Sequence, residues 1–273
     1  MWCRYVAEIG ALLADDMGLG KTHQVMGLMC FIRDRDPDAR LLVICPRGVL
    51  EHWHTLLGEF VPDLPVRLFH GPGRSLDLPA EGAAVVLTTY DIIFRSTEEL
   101  AAQRWEVAVF DEAQRIKNPR TKAARAARSL EARCRIALSG TPLENRLLEL
   151  WSVVDLILPG YLGSEREFRA AYRNPTHHQL HQLRQRLSVL TLRRVKEQVL
   201  SDLPEKVEEI RYCRLPPDQA RLYHAIHEQH AGEIAARLRD PSADIPYMHS
   251  FAPLARLKQV CDPPSLVPGE ELA

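Results

Sequence analysis

The sequence predicts an α/β domain built on a parallel sheet, followed by a mainly helical extension. Two observations carry that expectation. Through the first 140 residues, short apolar runs alternate with amphipathic stretches, which marks a parallel sheet covered on both faces by helices. From Glu144 onward the stretch ENRLLELWSVVDLIL is helical in period, and nothing after it reads as a buried strand.

The elements follow in order. GALLA (residues 10–14) reads as a strand, Lys21 to Arg33 as a helix, DRDPDA as a turn, LLVIC as a second strand and Val49 to Phe60 as a second helix. AVVLTT and EVAVF are further strands, Thr121 to Leu130 a helix and RIAL a strand. Helices rich in His, Gln and Arg are expected over Leu180 to Leu190 and Gln219 to Arg237, broken at LPEK and LPPDQ. The expected boundary lies near Pro159, giving an α/β domain over 1–159 and a helical extension over 160–273.

Composition narrows the function classes. With 46% hydrophobic and 26% charged residues the chain reads as soluble and globular. A formal net charge of -1 gives no general attraction for nucleic acid, so such binding would need local basic patches. The six cysteines are scattered without Cys-x-x-Cys spacing, which argues against a zinc site or a disulfide framework and suits the cytoplasm. No stretch approaches the roughly 20 apolar residues that span a bilayer, so no membrane partner is expected.

The chemistry concentrates in ALLADDMGLGKT, Ala11 to Thr22. Strand, glycine-containing turn and helix start are the context of a phosphate-binding loop, and the stretch ends in Gly-Lys-Thr. The expected nucleotide-binding residues are Asp15, Asp16, Met17, Gly18, Leu19, Gly20, Lys21 and Thr22. Gly18 and Gly20 would turn backbone N–H groups onto phosphate oxygens at a helix N-terminus, Lys21 would reach the β- and γ-phosphates, and the Thr22 hydroxyl would ligate Mg²⁺. Asp15 nevertheless stands where such loops carry glycine, and alone the stretch also fits a chance helix start.

A second feature shifts that balance. Asp111 and Glu112 follow the apolar run Val107 to Phe110, at the carboxyl end of a strand. There an aspartate can hold Mg²⁺ and a glutamate can activate water opposite a phosphate loop. LSGTP (138–142), again after a strand, offers small hydroxyl residues that would sense the nucleotide, although such residues are also ordinary turn chemistry.

Together these stretches resemble the SWI/SNF-type ATPases of helicase superfamily two. DDMGLGKT is that family's own form of the first helicase motif, aspartates included. LVICPRGVLEHW, VVLTTYD, DEAQRIKN (with Asp111, Glu112, Ala113 and Gln114) and LSGTPLENRLLELW resemble its later motifs in order. LRRVKEQVLSDLPEK and LARLKQVCDPPSLV resemble the helical segment that joins its two lobes. His23, His52, Gly48 and CDPP depart from the family pattern; they leave ATP binding untouched and bear on the DNA grip.

The resemblance implies a RecA-like P-loop lobe that uses ATP and Mg²⁺, with Lys21, Asp111 and Glu112 catalytic and Thr22 and Asp111 on the metal. It implies a motor on double-stranded DNA, expected to be incomplete as given. A second RecA-like lobe carries the family's arginine fingers, and a glutamine-bearing segment reads adenine. ENRLLELW and LPGYLGS look like bacterial members, so the displaced partner would be RNA polymerase or another DNA-bound protein, in the nucleoid. The competing expectations are a non-hydrolysing binding module and a strand-separating helicase.

DNA contacts are expected at Arg115 and Lys117, the first of six basic residues between Arg115 and Arg128. For Lys122, Arg125 and Arg128, spaced i, i+3, a solvated helix face competes with that role. Arg193, Arg194 and Lys196 of LRRVK fit a structural role, pairing with the acidic residues of SDLPEK.

Overall fold

The structure is a computed structural model of the 273-residue chain, and it describes residues 1–78, 81–140, 147–199, 209–238 and 247–262. Its elements begin with α1 (Trp2–Val6), β1 (Ala11–Leu13), α2 (Lys21–Arg35), β2 (Arg40–Cys45), α3 (Leu50–Phe60), β3 (Val66–Leu68) and β4 (Ala84–Thr89). Next come α4 (Tyr90–Arg95), α5 (Thr97–Ala101), β5 (Arg104–Phe110), α6 (Lys122–Ser129) and β6 (Glu131–Leu138). The remainder is α7 (Leu147–Ile157), α8 (Glu165–Ala171), α9 (His177–Ser188), β7 (Thr191–Leu192), α10 (Lys196–Val199), α11 (Pro217–Leu238) and α12 (Tyr247–Cys261).

Among the described residues, seven strands form one sheet in the order β3-β4-β2-β5-β6-β1-β7, with every pairing parallel. The unbroken apolar runs have a direct physical cause. Successive strand side chains point to opposite faces, and both faces are covered. Leu41, Val43 and Cys45 of β2 pack with α2 and α3 on one side; Leu42 and Ile44 pack with α4, α6 and α7 on the other.

The expected α/β class is therefore the observed one. The chain divides into two compact units, Met1–Leu203 and Pro204–Ala273. The first runs past the boundary expected at Pro159, because β7 adds to the free edge of β1 and because α8 and α9 bury Phe168 and Leu183 in the same core. Helix α9 begins at His177, earlier than expected, because Thr176 caps it: its hydroxyl accepts from the Gln179 N–H, and the Gln179 side chain accepts from the Thr176 N–H. In the second unit α11 and α12 pack through Ile226 and Val260. Among the described residues no helix is long and apolar enough to cross a membrane.

One residue of the basic stripe belongs to this packing. Arg128 on α6 donates from Nε to Asp155 (3.1 Å) and from Nη2 to the carbonyl and hydroxyl of Ser152 (both 2.9 Å), tying α6 to α7. Charged hydrogen bonds at a part-buried site are worth about 1.5–3 kcal/mol each to break, and they overlap here. Arg128→Ala should therefore lower the unfolding free energy by about 2–3 kcal/mol, read by urea denaturation; a change within about 0.5 kcal/mol, the range for ordinary surface substitutions, would return Arg128 to the solvated face.

Candidate functional site

The strand order brings the expected site residues together. The carboxyl ends of β1, β6 and β5 lie side by side, and they carry the loop Ala14–Gly20, the pair Ser139–Gly140 and the pair Asp111–Glu112. Such a row of carboxyl ends is where open α/β sheets bind ligands.

The loop turns through two glycines in the left-handed region, Gly18 (φ 86°) and Gly20 (φ 72°), and Gly20 caps α2. Lys21 opens the helix, its ammonium donating to the Asp15 carbonyl (2.7 Å) and the Asp16 carbonyl (3.1 Å). Thr22 follows, partly buried, and Met17 is exposed. A Cβ on Gly140 would stand 2.8 Å from Met17 Cγ and 3.5 Å from Lys21 Nζ, so a side chain there would push into the loop.

The two aspartates explain why this loop departs from the glycine pattern. Backbone pairing along the free edge of β1 continues past the strand: the N–H groups of Leu12, Ala14 and Asp16 donate to the carbonyls of Leu190, Leu192 and Arg194. Asp15, with no exposed surface (0%), accepts from the Arg194 N–H (2.8 Å), from Nε (3.0 Å) and from Nη2. Arg194 Nη2 also donates to Gln24 Oε1 (3.0 Å), and Asp16 Oδ2 accepts from the Lys196 N–H (3.1 Å). The structural role expected for LRRVK is thus present with a different partner: Arg194 binds the phosphate loop, while SDLPEK lies outside the described residues. Burial pushes the Asp15 carboxyl up, and the hydrogen bonds from Arg194 outweigh it, holding the group below its ordinary value.

Across the sheet, Asp111 is held by residues that the sequence did not single out. The Trp53 indole N–H donates to Asp111 Oδ2 (2.8 Å), the Glu112 N–H to Oδ1 (2.9 Å), and the Tyr90 hydroxyl to the Asp111 carbonyl (2.7 Å). Here burial dominates and raises the carboxyl pKa; the Trp53 bond opposes it, the Glu112 charge adds to it and Lys21 opposes it. Glu112 itself sits at φ 50°, a conformation rare for a side-chain-bearing residue. Its Oε2 accepts from Gln114 Nε2, and Gln114 Oε1 accepts from the Ser139 hydroxyl (3.1 Å). Ala113 is buried beneath them. Thr141 and Pro142 of LSGTP lie outside the described residues.

These groups suit a polyphosphate with a hard divalent cation: inward-turning glycine backbone, one ammonium, one hydroxyl and a carboxylate whose charge is costly without a cation. The basic stripe is less uniform. Lys117 pairs with Glu149 (3.1 Å), Arg120 with Glu165 (3.5 Å), and the Lys122 ammonium lies 4.9 Å from the Phe94 ring centroid, whereas Arg115 and Arg125 are exposed.

Breaking the Asp15 clasp should be costly, because Arg194→Ala leaves a carboxylate inside without its cation. We expect a loss of about 3 kcal/mol at neutral pH, at the low end for a buried pair because the arginine head keeps some solvent. A depressed carboxyl contributes stability above its unfolded pKa of about 3.9 and loses it as pH falls through the folded value. The gap between wild type and variant should therefore shrink below about pH 4. Urea unfolding at both pH values decides: an equal gap would show that the charge on Asp15 is irrelevant.

Residues 1–266 match the SNF2-related domain. The chain is 40% identical over 290 residues to the Bacillus subtilis putative ATP-dependent helicase/translocase YwqA, covering 99% of this chain and 30% of that protein. It is 30% identical over 291 residues to the Saccharomyces cerevisiae TATA-binding protein-associated factor MOT1, covering 95% of this chain and 16% of that one. Among solved structures, the Sulfolobus solfataricus SWI2/SNF2 ATPase core in complex with dsDNA superimposes with a TM-score of 0.69 at 36% identity, over 99% of this chain and 58% of that one. The chain thus spans less than two thirds of the length of each of these relatives. It belongs to the SNF2 family of helicase superfamily two, and its α/β unit is the RecA-like lobe of that family's ATPase core.

Proposed function

We propose that this chain is the ATP-binding lobe of a DNA-dependent ATPase that translocates on double-stranded DNA and displaces or remodels proteins bound to it. The observation that carries the reading is that the Lys21 loop after β1 and the Asp111–Glu112 pair after β5 lie at the same end of the sheet, on strands separated only by β6. In this reading Lys21 gives up its two backbone carbonyls for the β- and γ-phosphates, and Gly18 and Gly20 present backbone N–H groups to them. Thr22 and Asp111 hold Mg²⁺, which when bound neutralises charge on the phosphate oxygens. Glu112 orients the attacking water and takes its proton, and Gln114 fixes the Glu112 carboxylate while contacting Ser139. The lobe works against a second RecA-like lobe, in cis or in trans, whose arginine fingers stabilise the transition state. The partners are duplex DNA and a DNA-bound protein such as RNA polymerase, in the bacterial nucleoid; the names of the Bacillus and yeast relatives support that class.

Catalysis separates this reading from a non-hydrolysing binding module. Arginine fingers contribute on the order of 10³–10⁵ in rate, so the chain alone should turn over ATP near background, with or without DNA. Supplying the second lobe should give DNA-stimulated hydrolysis that Glu112→Gln abolishes while ATP binding persists. Vigorous DNA-stimulated turnover by this chain alone would relocate the transition-state cations, and failure of the two-lobe protein to hydrolyse ATP would favour the binding module.

The DNA part is tested separately. Reversing Arg115 and Lys117 to glutamate should weaken binding to all duplex sequences alike and reduce the salt slope by roughly two. Because Glu149 already pairs with Lys117, the Arg115 change should carry most of the loss. An unchanged affinity and slope would make this surface a solvated face.

A further inference from the structure

The LRRVK tract does more at the loop than clasp it. Lys196 is anchored there by its own N–H, which donates to Asp16 Oδ2 (3.1 Å), two residues after the Arg194 carbonyl accepts from the Asp16 N–H (3.0 Å). Its side chain then crosses Gly18: both Cε and Nζ lie 3.4 Å from the point that a Cβ on Gly18 would occupy. Gly18 is needed for its left-handed backbone, and the lysine side chain lies within van der Waals reach of it. The side chain is partly buried, and among the described residues its ammonium has no hydrogen-bond or ion-pair partner.

Among the described residues neither nearby acid forms an ion pair with that ammonium. Asp15 is occupied by Arg194, and Asp16 Oδ2 by the Lys196 backbone. A partly buried ammonium, unpaired among the described residues, beside a glycine loop raises the local affinity for an anion, and a phosphate oxygen is the acceptor that such a loop binds.

We propose that Lys196 is a second phosphate-binding cation of the nucleotide site, acting beside Lys21. This role rests on the reading of the loop as an ATP site. It makes the tract after β7 part of the nucleotide pocket, so that bound phosphate draws Gly18 and Lys196 together.

The test is titration of this chain with a fluorescent ATP analogue and Mg²⁺, comparing wild type, Lys21→Ala, Lys196→Gln and Lys196→Arg. Lys196→Gln keeps most of the stem and removes the charge. It should weaken binding roughly tenfold or more, the value of a charged hydrogen bond, and Lys196→Arg should restore most of that loss. The nucleotide-free melting temperature should not fall in Lys196→Gln, because no ion pair among the described residues is broken; a drop there with unchanged affinity would make the lysine structural and overturn the role. Wild-type affinity in Lys196→Gln, with binding lost in Lys21→Ala, sinks the role of Lys196 and leaves the site standing. Undiminished binding in Lys21→Ala removes the nucleotide site and the role of Lys196 with it.

Discussion

The carboxylate of Asp15 is the constraint on which the rest of the site depends. A fully buried charge is tolerated only when paired and hydrogen-bonded, and Arg194 alone supplies three donors to it. That need fixes the path of the chain after β7, which runs alongside β1 and its loop through the backbone bonds at Leu12, Ala14 and Asp16. The first half of the phosphate loop is therefore edge pairing of the sheet, and the second half is glycine turn and helix start. A glycine at position 15 would leave Arg194 without its acceptor and the loop without its anchor.

The two strand-end aspartates are treated in opposite ways. Asp15 is stabilised as a charge by a permanent cation within the protein, and its pKa falls below the ordinary value. Asp111 is partly buried with neutral donors on its carboxylate, Trp53 and the Glu112 N–H, and its pKa rises. A carboxylate whose charge is already satisfied is a structural part; one held in place but undercompensated favours a nearby cation, which supports the metal role proposed for Asp111. The two carboxylates thus occupy opposite electrostatic environments at the same end of the sheet.

The main strands were readable because they are buried on both faces over most of their length, so β2, β4 and β5 carry the apolar runs Leu41–Cys45, Ala84–Leu87 and Val107–Phe110. Strands β3 and β7 carry no such signal: Val66–Leu68 and Thr191–Leu192 are short and partly exposed, and only pairing to a neighbour makes them strands. For the site, Lys21, Asp111 and Glu112 could be read from their order and local context. Trp53, Tyr90 and Arg194 could not, because their partners lie 58, 21 and 179 residues away in sequence. Trp53 did leave a trace, since a tryptophan within an apolar motif needs an acceptor for its N–H when buried.

The acidic pair also shows how local geometry distributes the work. Because Glu112 takes a left-handed backbone, its N–H reaches back to Asp111 Oδ1 while its own side chain meets Gln114. A backbone conformation of this kind costs about 1–3 kcal/mol and persists where surrounding contacts determine it. Here those contacts are identifiable: Ile44 accepts from the Asp111 N–H, Tyr90 bonds the Asp111 carbonyl, and Ser139 holds Gln114. Each comes from a different neighbour, one from β2, one from the start of α4 and one from the end of β6. The orientation of the glutamate is therefore set by the sheet as a whole, and a shift at any of those three strand ends would be felt at its carboxylate.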